Sequence, residues 1–439
     1  MVTTVEEVLD FIKYNDVKFI RLSFCDLLGR QKNISIMPDE LPRAFEHGVP
    51  FDAHAISGFT DITKSDLLLI PDPGTLSVLP WRPQQGRVVR FYCGIRNPDG
   101  SVFWGDTREI LKNIVGKISQ KGYSCMIGAE CEFYLFKTDE NGEPTTKPYD
   151  NGGYLDVSPL DKGENVRREI CLCLEEMGIR PETSHHEQGP GQNEIDFKFS
   201  DAVNSADNLI TFKQVVRSIA ARNGLFASFA PKPLPGKSGS GLHINLSLLK
   251  NGVNVFRLGE KERSKVAESF VAGILQKVTE ITAFLNPIPN SYERLGYFEA
   301  PKYVSWSHGN RSQLVRIPAA QDDRMRMELR SPDPSTNPYL AFALVIGAGI
   351  YGIENNLELP ESINVDLYAA DESITGSLPR LPETLGEALK LAEKSDFVRS
   401  ILNDRILERF ISIKTKELEA YDLANDKYEH FLQNYFRVV

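Results

Sequence analysis

The chain has 439 residues, and its 60 aspartates and glutamates against 50 lysines and arginines give a net charge of −10. This length exceeds one ordinary core of about 100–200 residues, so we expect two or three packed units. Hydrophobic residues make up 41% of the chain and charged residues 25%, which excludes intrinsic disorder as the main state. The acidic balance argues against a nucleic-acid partner, because neutralising phosphates needs clustered lysine and arginine.

The six cysteines include no C-x-x-C pair, which predicts free thiols in a reducing compartment rather than a disulfide framework. The N-terminal segment MVTTVEEVLDFIKYND is acidic and amphipathic, which predicts a first helix rather than a secretory signal. The most apolar stretch, PYLAFALVIGAGIYGI at residues 338–353, is shorter than the roughly 20 residues that a membrane span needs and predicts a buried helix. We therefore expect a cytoplasmic protein with no membrane partner.

Residues 1–105 are predicted to form a small mixed domain, in which a helix is followed by the β-rich runs VKFIRLSF, KNISIMP, LLLIPD and VVRFYCGI. From residue 106 a helical pattern, REILKNIVGKISQKG, precedes strands that carry polar residues within apolar runs: CMIGAECEFYLF, NEIDFKFS, GLHINLSLL and MRMELRSP. Beyond Asn337 the pattern is mostly helical, with a loop at ELPESINVDLYAADES. The polar residues of the four strands are where we expect chemistry.

Glu130 and Glu132 alternate inside an apolar strand, so the two-residue period places both carboxylates on one face. Two like charges side by side repel unless a cation is bound, and the apolar flanks favour a metal site over a solvated strand face. Glu187 and Glu194 bound a glycine-rich turn that follows His185 and His186, and this turn can bring both of its ends towards one site.

His243, Asn245 and Ser247 share one face of the run GLHINLSL, although a lone strand histidine is more often a core or surface residue than a ligand. The preceding segment GKSGSG invites a phosphate-loop interpretation. That motif needs a glycine five positions before the glycine of the Gly-Lys-Ser triplet, where this chain has Pro231. We therefore reject a phosphate loop.

Arg324, Arg326, Glu328 and Arg330 fall on one parity of the run DRMRMELR, which predicts three guanidiniums around one carboxylate. Surface ion pairing could explain two of them, but Arg311 and Arg316 just upstream make a dense arginine cluster in an acidic chain. Such a cluster suits phosphates and a carboxylate substrate. With the oxygen-rich set of five glutamates and His243, the residues indicate metal-assisted phosphoryl transfer with Mg²⁺ or Mn²⁺.

Long segments in a fixed order identify a resemblance to the glutamine synthetase family, type I, over nearly the whole chain. These segments are FIRLSFCDLLGRQKNISI, FDAHAISGF, AECEFYLF, NGGYLDVSP, HHEQGPGQNEIDF, SGSGLHINLSL, NSYERLGYFEAPKYVSWSHGNRSQLVRIP and RMELRSPDPSTNPYLAFAL. The resemblance implies an α+β fold, with a β-grasp domain at residues 1–105 and, at residues 106–439, a catalytic domain with a curved antiparallel sheet and surrounding helices. It also implies a homo-oligomer, a dodecamer of two hexameric rings with active sites between subunits.

The family activity implied is the ATP-dependent joining of ammonium to the γ-carboxylate of glutamate through γ-glutamyl phosphate, with ATP as co-substrate. Two or more Mg²⁺ or Mn²⁺ ions are implied, one held by Glu132, Glu187 and Glu194 and another by Glu130, His243 and Glu328. The implied substrate-binding residues are Tyr154, Glu132, Glu187, Gly239, His243, Arg294 and Arg330. The implied nucleotide-binding residues are Phe199, Asn245, Ser247, Arg311, Arg316 and Arg326. The implied catalytic residues are Asp52, which would help deprotonate ammonium, Glu299, in a flap that would shield the intermediate from water, and Arg311.

The chain departs from the family pattern at two places. The usual FDGSS is FDAHA at residues 51–55, and the family histidine two residues after His243 is Asn245. The first departure leaves an alternative open, a γ-glutamyl ligase for a polyamine or monoamine, and a further alternative is an inactive scaffold with the same fold. Tyr368 resembles a tyrosine adenylylated in one branch of the family, but its surroundings differ, so we predict an unmodified loop residue.

Overall fold

The computed structural model describes residues 4–82, 85–257, 265–320 and 324–439. Its N-terminal part is a six-stranded sheet with order β2–β1–β6–β4–β3, and β5 also pairs with β6. Strands β1 and β6 are parallel, and the other pairs are antiparallel. The strands are β1 (Val17–Cys25), β2 (Gln31–Ile36), β3 (Val49–Asp52), β4 (Asp66–Pro71), β5 (Ser77–Val78) and β6 (Arg87–Arg96), and the helices are α1 (Val5–Tyr14) and α2 (Leu41–His47).

Helix α1 begins where its sequence provides a cap. The Thr4 hydroxyl accepts the Glu7 backbone N–H at 3.2 Å, and the Glu7 carboxylate accepts the Thr4 N–H at 3.0 Å. This reciprocal capping box satisfies two backbone donors that a helix start leaves free. Val8 and Ile12 then lie on the buried face of the helix. The helix predicted at the N-terminus is confirmed from residue 5, and residues 1–3 lie outside the described residues.

The second part is built on an eleven-stranded curled sheet with order β15–β16–β17–β13–β7–β10–β9. Strands β8, β11 and β12 also pair with β7, and β14 pairs with β13. All pairs are antiparallel except β15 with β16. The strands are β7 (Tyr123–Thr138), β8 (Pro144–Pro148), β9 (Pro181–His186), β10 (Gln192–Phe197), β11 (Ser200–Asp201), β12 (Leu225–Ser228), β13 (Leu242–Lys250), β14 (Val253–Asn254), β15 (Trp306–His308), β16 (Val315–Ile317) and β17 (Met327–Leu329).

Helices cover the apolar face of this sheet and extend to the C-terminal end. They are α3 (Thr107–Ser119), α4 (Glu164–Glu176), α5 (Ala202–Arg222), α6 (Lys265–Leu285), α7 (Pro338–Glu354), α8 (Glu372–Thr375), α9 (Leu385–Glu393), α10 (Asp396–Leu402), α11 (Asp404–Leu423) and α12 (Lys427–Asn434). Helix α7 is the predicted buried helix. Its glycines permit close packing on α6, because a Cβ on Gly352 would lie 1.9 Å from the Ser269 carbonyl oxygen.

The predicted α+β fold with a β-grasp part and a curled sheet is confirmed. The strand predicted over MRMELRSP is shorter than expected, because only Met327–Leu329 pairs with neighbours. The loop predicted after α7 is confirmed as far as the short helix α8. The six cysteines are free thiols, of which Cys171 is half-buried and the others are buried. Within the described ranges, no helix has the length and apolar character to cross a membrane.

Candidate active site

Four carboxylates from two neighbouring strands face one cavity of about 450 Å³. Along β7 the odd-numbered residues from Tyr123 to Phe133 are buried in the core, while Glu130 and Glu132 lie on the opposite face, as the two-residue period predicts. In the β7–β10 register, Glu194 lies directly opposite Glu132, and Asp196 lies directly opposite Glu130. Directly opposed like charges destabilise a sheet. This face therefore carries an electrostatic cost that packing does not explain.

The first cluster of potential cation ligands spans three strands. His243 on β13 lies opposite Glu130 on β7. Its Nδ1 is 3.3 Å from the Glu130 carboxylate and 3.7 Å from the carboxylate of Glu328 on β17. The ligand atoms of these three residues all lie within 4.8 Å of one another. Asn245 donates its side-chain N–H to Glu130 at 2.7 Å. The structure thus brings together the predicted set Glu130, His243 and Glu328.

The second cluster differs in one member from the predicted set. His185, at the end of β9, has its Nε2 2.8 Å from the Glu187 carboxylate and 3.7 Å from that of Glu194, and the ligand atoms of these three residues lie within 4.8 Å of one another. Glu132 was expected here. Its carboxylate lines the same cavity but accepts hydrogen bonds from the Gln192 side chain at 2.8 Å and the Gly241 N–H at 2.9 Å.

The pKa values of the carboxylates divide the cavity into two kinds of group. Burial and the charge of Glu187 raise the pKa of Glu132 to about 8, and burial with the charge of Glu130 raises that of Asp196 to about 6. Burial and the charges of Asp196 and Glu132 raise the pKa of Glu194 well above its usual range. Burial also acts on Glu130, but hydrogen bonds from His243 and Asn245 outweigh it and hold its pKa at about 2.

These residues fit divalent cations. The donors are carboxylate oxygens and imidazole nitrogens, which suit Mg²⁺ or Mn²⁺, and the sheet register fixes them close together. Burial first, and then repulsion by neighbouring carboxylates, raises the pKa values of Glu132, Glu194 and Asp196. A bound cation would relieve this repulsion directly.

Five arginines form another part of the cavity wall, beside the first cluster: Arg294, Arg311, Arg316, Arg326 and Arg330. Arg316 and Arg330 both pair with the buried carboxylate of Glu328, and Arg326 donates its Nε–H to Asn245 at 2.7 Å. Of the three arginines predicted around Glu328, Arg330 is confirmed, whereas Arg324 and Arg326 precede the paired strand β17 and make no ion pair with Glu328, and Arg316 reaches it from β16 instead. The carbonyl of Arg311 accepts the Nε–H of Arg330 at 3.1 Å, and Arg311 itself lines the cavity.

Arg294 and Gly239 lie at the base of the cavity. The Arg294 guanidinium donates to the carbonyls of Ser331, at 2.8 Å, and Arg330, at 3.2 Å, and the residue is almost fully buried. A Cβ on Gly239 would lie 2.4 Å from the Pro231 carbonyl oxygen and 2.9 Å from Arg294 Cγ. Glycine is therefore required where this backbone passes the arginine.

The segment around Glu299 covers part of the cavity. Phe298 and Glu299 both adopt positive φ angles, 50° and 66°, which non-glycine residues rarely do. The Glu299 carboxylate accepts the Gln188 side-chain N–H at 3.2 Å, and its carbonyl accepts an Arg330 N–H at 3.3 Å. The predicted flap residue therefore meets the site through its side chain and its backbone.

The other predicted residues have different positions. Tyr154 lines the cavity with its ring edge-on to His185 at 5.7 Å. Phe199 is exposed on the sheet face beside the cavity, its Cβ 3.5 Å from where a Cβ on Gly128 would lie. Ser247 lies further along β13 and donates to the Met325 carbonyl at 3.2 Å. Asp52, at the end of β3, is exposed and is not among the residues that line this cavity.

Sequence reasoning assigned no role to several lining residues. His185 stands in a quoted motif, and Asp196 shares strand parity with Glu194, so both had a signal in the sequence. Gln188 and Gln192 lie in or beside the glycine-rich turn and hold Glu299 and Glu132 respectively. Their roles depend on contacts with distant segments, which no local pattern reveals.

An oxygen-rich set of potential cation ligands beside a wall of arginines is typical of a metal-dependent enzyme that acts on anionic groups. Two family models match the chain, "Glutamine synthetase, beta-Grasp domain" over residues 16–98 and "Glutamine synthetase, catalytic domain" over residues 104–432. A protein named glutamine synthetase from Clostridium saccharobutylicum is 45% identical over 98% of both chains. Another of the same name, from Methanosarcina mazei, is 46% identical over 95% of both chains.

A solved structure described as a GmaS/ADP complex superimposes with a TM-score of 0.87 at 29% identity, covering 97% of this chain and 99% of the other. The fold, the site and these similarities agree over nearly the full length. The chain belongs to the glutamine synthetase family. Membership implies the use of ATP and divalent metal, and the two carboxylate and histidine clusters provide donors for the metal.

Proposed function

We propose that the protein joins ammonia to the γ-carboxylate of glutamate at the expense of ATP, releasing glutamine, ADP and phosphate. One observation carries this proposal: a single cavity is lined by members of both cation-ligand clusters, by the arginine wall and by Glu299. The relatives named glutamine synthetase, at 45% and 46% identity over nearly the whole chain, support it. An inactive scaffold is disfavoured, because all six predicted metal ligands are present at the site.

Divalent cations, Mg²⁺ or Mn²⁺, are proposed at the two clusters. Glu130, His243 and Glu328 would hold one ion, and Glu187 and Glu194 would hold another with Glu132 turning towards them. Bound there, the ions would neutralise phosphate charge during transfer to the glutamate carboxylate. His185 already contacts Glu187 and Glu194, so we propose that it orients these ligands.

The arginine wall is proposed to bind the anionic parts of both substrates. Arg311, Arg316 and Arg326 would contact the ATP phosphates, while Arg294 and Arg330 would hold the glutamate carboxylates above Gly239. A carboxylate that attacks an anionic phosphate faces strong repulsion, which fixed guanidiniums offset without reorganising. The rest of the nucleotide would extend along the sheet face past Asn245, Ser247 and Phe199, which lie on one side of the cavity.

The flap is proposed to protect the intermediate. An acyl phosphate must meet ammonia before water, and Glu299 stands over the cavity, held by Gln188 and Arg330. Tyr154, on the cavity wall, would line the ammonium pocket.

Asp52 is proposed to act in the site of a neighbouring copy, where it would take a proton from ammonium. Its exposure, and its absence from the residues that line the cavity of its own chain, support this arrangement. We accordingly propose a homo-oligomer, a dodecamer of two hexameric rings, in which an isolated subunit is inactive.

We also propose a division into domains between residues 105 and 106, which a separate apolar core drawn from residues 8–103 supports. A cytoplasmic location is proposed as well, and the six free thiols support it.

The test is glutamate-dependent phosphate release from Mg·ATP by the purified full chain, with ammonium compared against a panel of amines. Saturable turnover with ammonium supports the proposal and makes Ala53, His54 and Ala55 a tolerated variation. Turnover with a larger amine but none with ammonium would contradict it in favour of a γ-glutamyl-amine ligase. No glutamate-dependent turnover with any amine would favour the inactive scaffold.

A further inference from the structure

A second cavity, of about 440 Å³, lies outside the active site. Its walls come from the β1–β2 hairpin, helix α5, the loop at residues 334–336, helix α11 and the C-terminal segment. None of the residues lining it also lines the active-site cavity. Its volume falls in the range of small-molecule sites, roughly 300–1,000 Å³.

The cavity is strongly cationic in a protein of net charge −10. Arg30 and Lys32 approach from the hairpin, Lys213 and Arg217 from α5, and Lys414 from α11. In the part of the chain that the structure describes, no aspartate or glutamate side chain lines the cavity, although Val439, whose terminal carboxylate accepts the Phe229 N–H at 3.2 Å, does. Clefts lined by one sign of charge concentrate counter-ions of the opposite sign.

The nearby acids balance only part of this charge. Lys414 pairs with Glu417 at 2.8 Å, and Lys32 lies 3.9 Å from Asp26. Lys213 donates to the carbonyl of Pro334.

Arg30 and Arg217 have no carboxylate oxygen within 4.0 Å among the described residues. The Arg217 guanidinium lies 5.1 Å from the centre of the Phe229 ring, which offers no counter-charge. The two arginines are thus the cations of the cavity that lack a carboxylate partner.

Burial and mutual repulsion make this arrangement costly in the ligand-free protein. Burial and the charge of Arg217 together lower the pKa of Lys213 to about 8, against the opposing effects of Cys131 and Asp333. Burial lowers the pKa of Arg217 to about 10, and the charge of Arg30 acts in the same direction. Lys213 is buried and Arg217 half-buried, and cations held there without a carboxylate partner reduce stability, whereas Arg30 is exposed at the rim.

The walls are held together before any ligand binds. Gly29, at the hairpin tip with φ of 79°, packs closely against Asn337, the residue before helix α7. A Cβ on Gly29 would lie 2.7 Å from Asn337 Cα. The Asn337 side chain donates to the Leu27 carbonyl at 3.2 Å, and the Asp26 carboxylate accepts the backbone N–H of Arg30 at 2.9 Å. The hairpin that carries Arg30 is therefore fixed against α5, and binding would need little ordering.

We propose that this cavity is a second ligand site, which binds a small polyanion carrying phosphate or carboxylate groups. Arg217 and Arg30 supply the unpaired charge, and Lys213 deepens the positive potential at the base. Guanidiniums bind both phosphate and carboxylate with paired N–H groups, so the oxyanion is the chemistry shared by the candidate ligands.

The experiment is calorimetric titration of the full chain with inorganic tripolyphosphate in one arm and citrate in the other, in metal-free buffer. We expect saturable binding in at least one arm, and the arm that binds identifies the anion class. Arg217→Gln and Arg30→Gln should each weaken that binding at least about tenfold, since each removes an unpaired charge from the site. Arg222→Gln is the matched control, because Arg222 is an exposed cation on the same helix outside the cavity.

A second control separates the two cavities. Arg316→Gln removes a cation from the active site, so it should weaken any binding of tripolyphosphate there but leave unchanged the binding event that Arg217→Gln weakens. Loss of binding in Arg316→Gln with none in Arg217→Gln would place the anions in the active site and overturn the proposal. No binding by the wild-type protein in either arm would overturn it too, including the case in which copies of the chain cover the cavity in the assembly.

Folding of the variants is checked by thermal unfolding without ligand. Arg217→Gln should melt at the same temperature as the wild type or higher, because it removes a half-buried charge that has no carboxylate partner. The anion that binds should raise the melting temperature of the wild type and of Arg222→Gln but not of Arg217→Gln. An equal rise in all three proteins would contradict the proposal.

Discussion

Two adjacent histidines, His185 and His186, each belong to a cluster of one imidazole and two carboxylates, and the two clusters differ in how their charges are balanced. His186 is fully buried, its Nε2 2.8 Å from the Asp150 carboxylate and its Nδ1 2.6 Å from the Glu187 carbonyl. Asp161 pairs with both terminal nitrogens of Arg167. In this structural cluster every charge has a partner of opposite sign or a hydrogen-bond donor, and the pKa of Asp150, although burial raises it, is lowered to about 2 by these donors.

His185 belongs to the active site, where carboxylates face carboxylates. The ligand atoms of His185, Glu187 and Glu194 are as close together as those of the structural cluster, within 4.8 Å. The pKa of Glu194, however, is raised by burial and by neighbouring acids rather than lowered by donors. Composition and proximity do not separate a structural cluster from a ligand site, whereas the balance of donors and charges does.

The largest expected effect is on catalysis. Glu194→Ala should reduce the rate of glutamine formation about 10³-fold, because it removes a cation ligand beside the reacting groups. The same change relieves repulsion with Glu132 and Asp196, so the melting temperature of the metal-free variant should not fall. Steady-state kinetics and thermal unfolding check both parts. A variant with normal activity would exclude Glu194 from the cation site.

The structural cluster should respond in the opposite way. Asp161→Asn keeps the size of the side chain but leaves Arg167 buried without its partner, and should lower the free energy of unfolding by about 3–5 kcal/mol. Chemical denaturation measures this loss, with the exposed Glu164→Gln as the control. If Asp161→Asn is as stable as the control, the distinction between the clusters fails.

The pH dependence of stability should reveal the repelling carboxylates. The pKa of Glu132 is raised from 4.5 to about 8 by burial and by Glu187, so the folded state holds this proton more tightly than the unfolded chain does. The stabilising contribution is full below pH 4.5 and is lost as pH rises through about 8. Denaturation in metal-free buffer should show this loss across that window, and Glu132→Gln should reduce the slope. A wild-type profile identical to that of Glu132→Gln would contradict the account.

The flap should give the smallest effect. Glu299→Ala should leave ATP and metal binding intact but let water reach the acyl phosphate, lowering the ratio of amide formed to ATP consumed by about twofold or more. Both products are measured in one reaction. Tyr297→Phe, an exposed position of the same segment, is the control. An unchanged ratio in Glu299→Ala would exclude the shielding role.

Local patterns in the sequence were sufficient for the parts of the site that lie within one strand. The alternation of Glu130 and Glu132 in an apolar run gave the correct face of β7, and the shared parity of His243 and Asn245 gave the correct face of β13. Family resemblance added the assignment of Glu328 beside His243, which the structure brings to 3.7 Å.

Register and length of the short strands were not predictable in the same way. Parity alone assigned Arg326 to Glu328, whereas the three-residue strand β17 pairs Glu328 with Arg316 of β16. The different environments of His185 and His186 likewise depend on how β9 aligns with β10 and on the distant Asp150. The second cavity, too, is assembled from segments far apart in the chain, and no motif indicates it.

The active-site cavity is proposed to make glutamine from glutamate and ammonium. The most direct measurement supplies ¹⁵N-ammonium as the only amine to the purified full chain with glutamate and Mg·ATP, and follows ¹⁵N in the amide of glutamine alongside released phosphate. We expect labelled glutamine and phosphate in equal amounts, with both lost in Glu194→Ala. Phosphate release without labelled glutamine, or labelled glutamine at an undiminished rate in Glu194→Ala, would contradict the account.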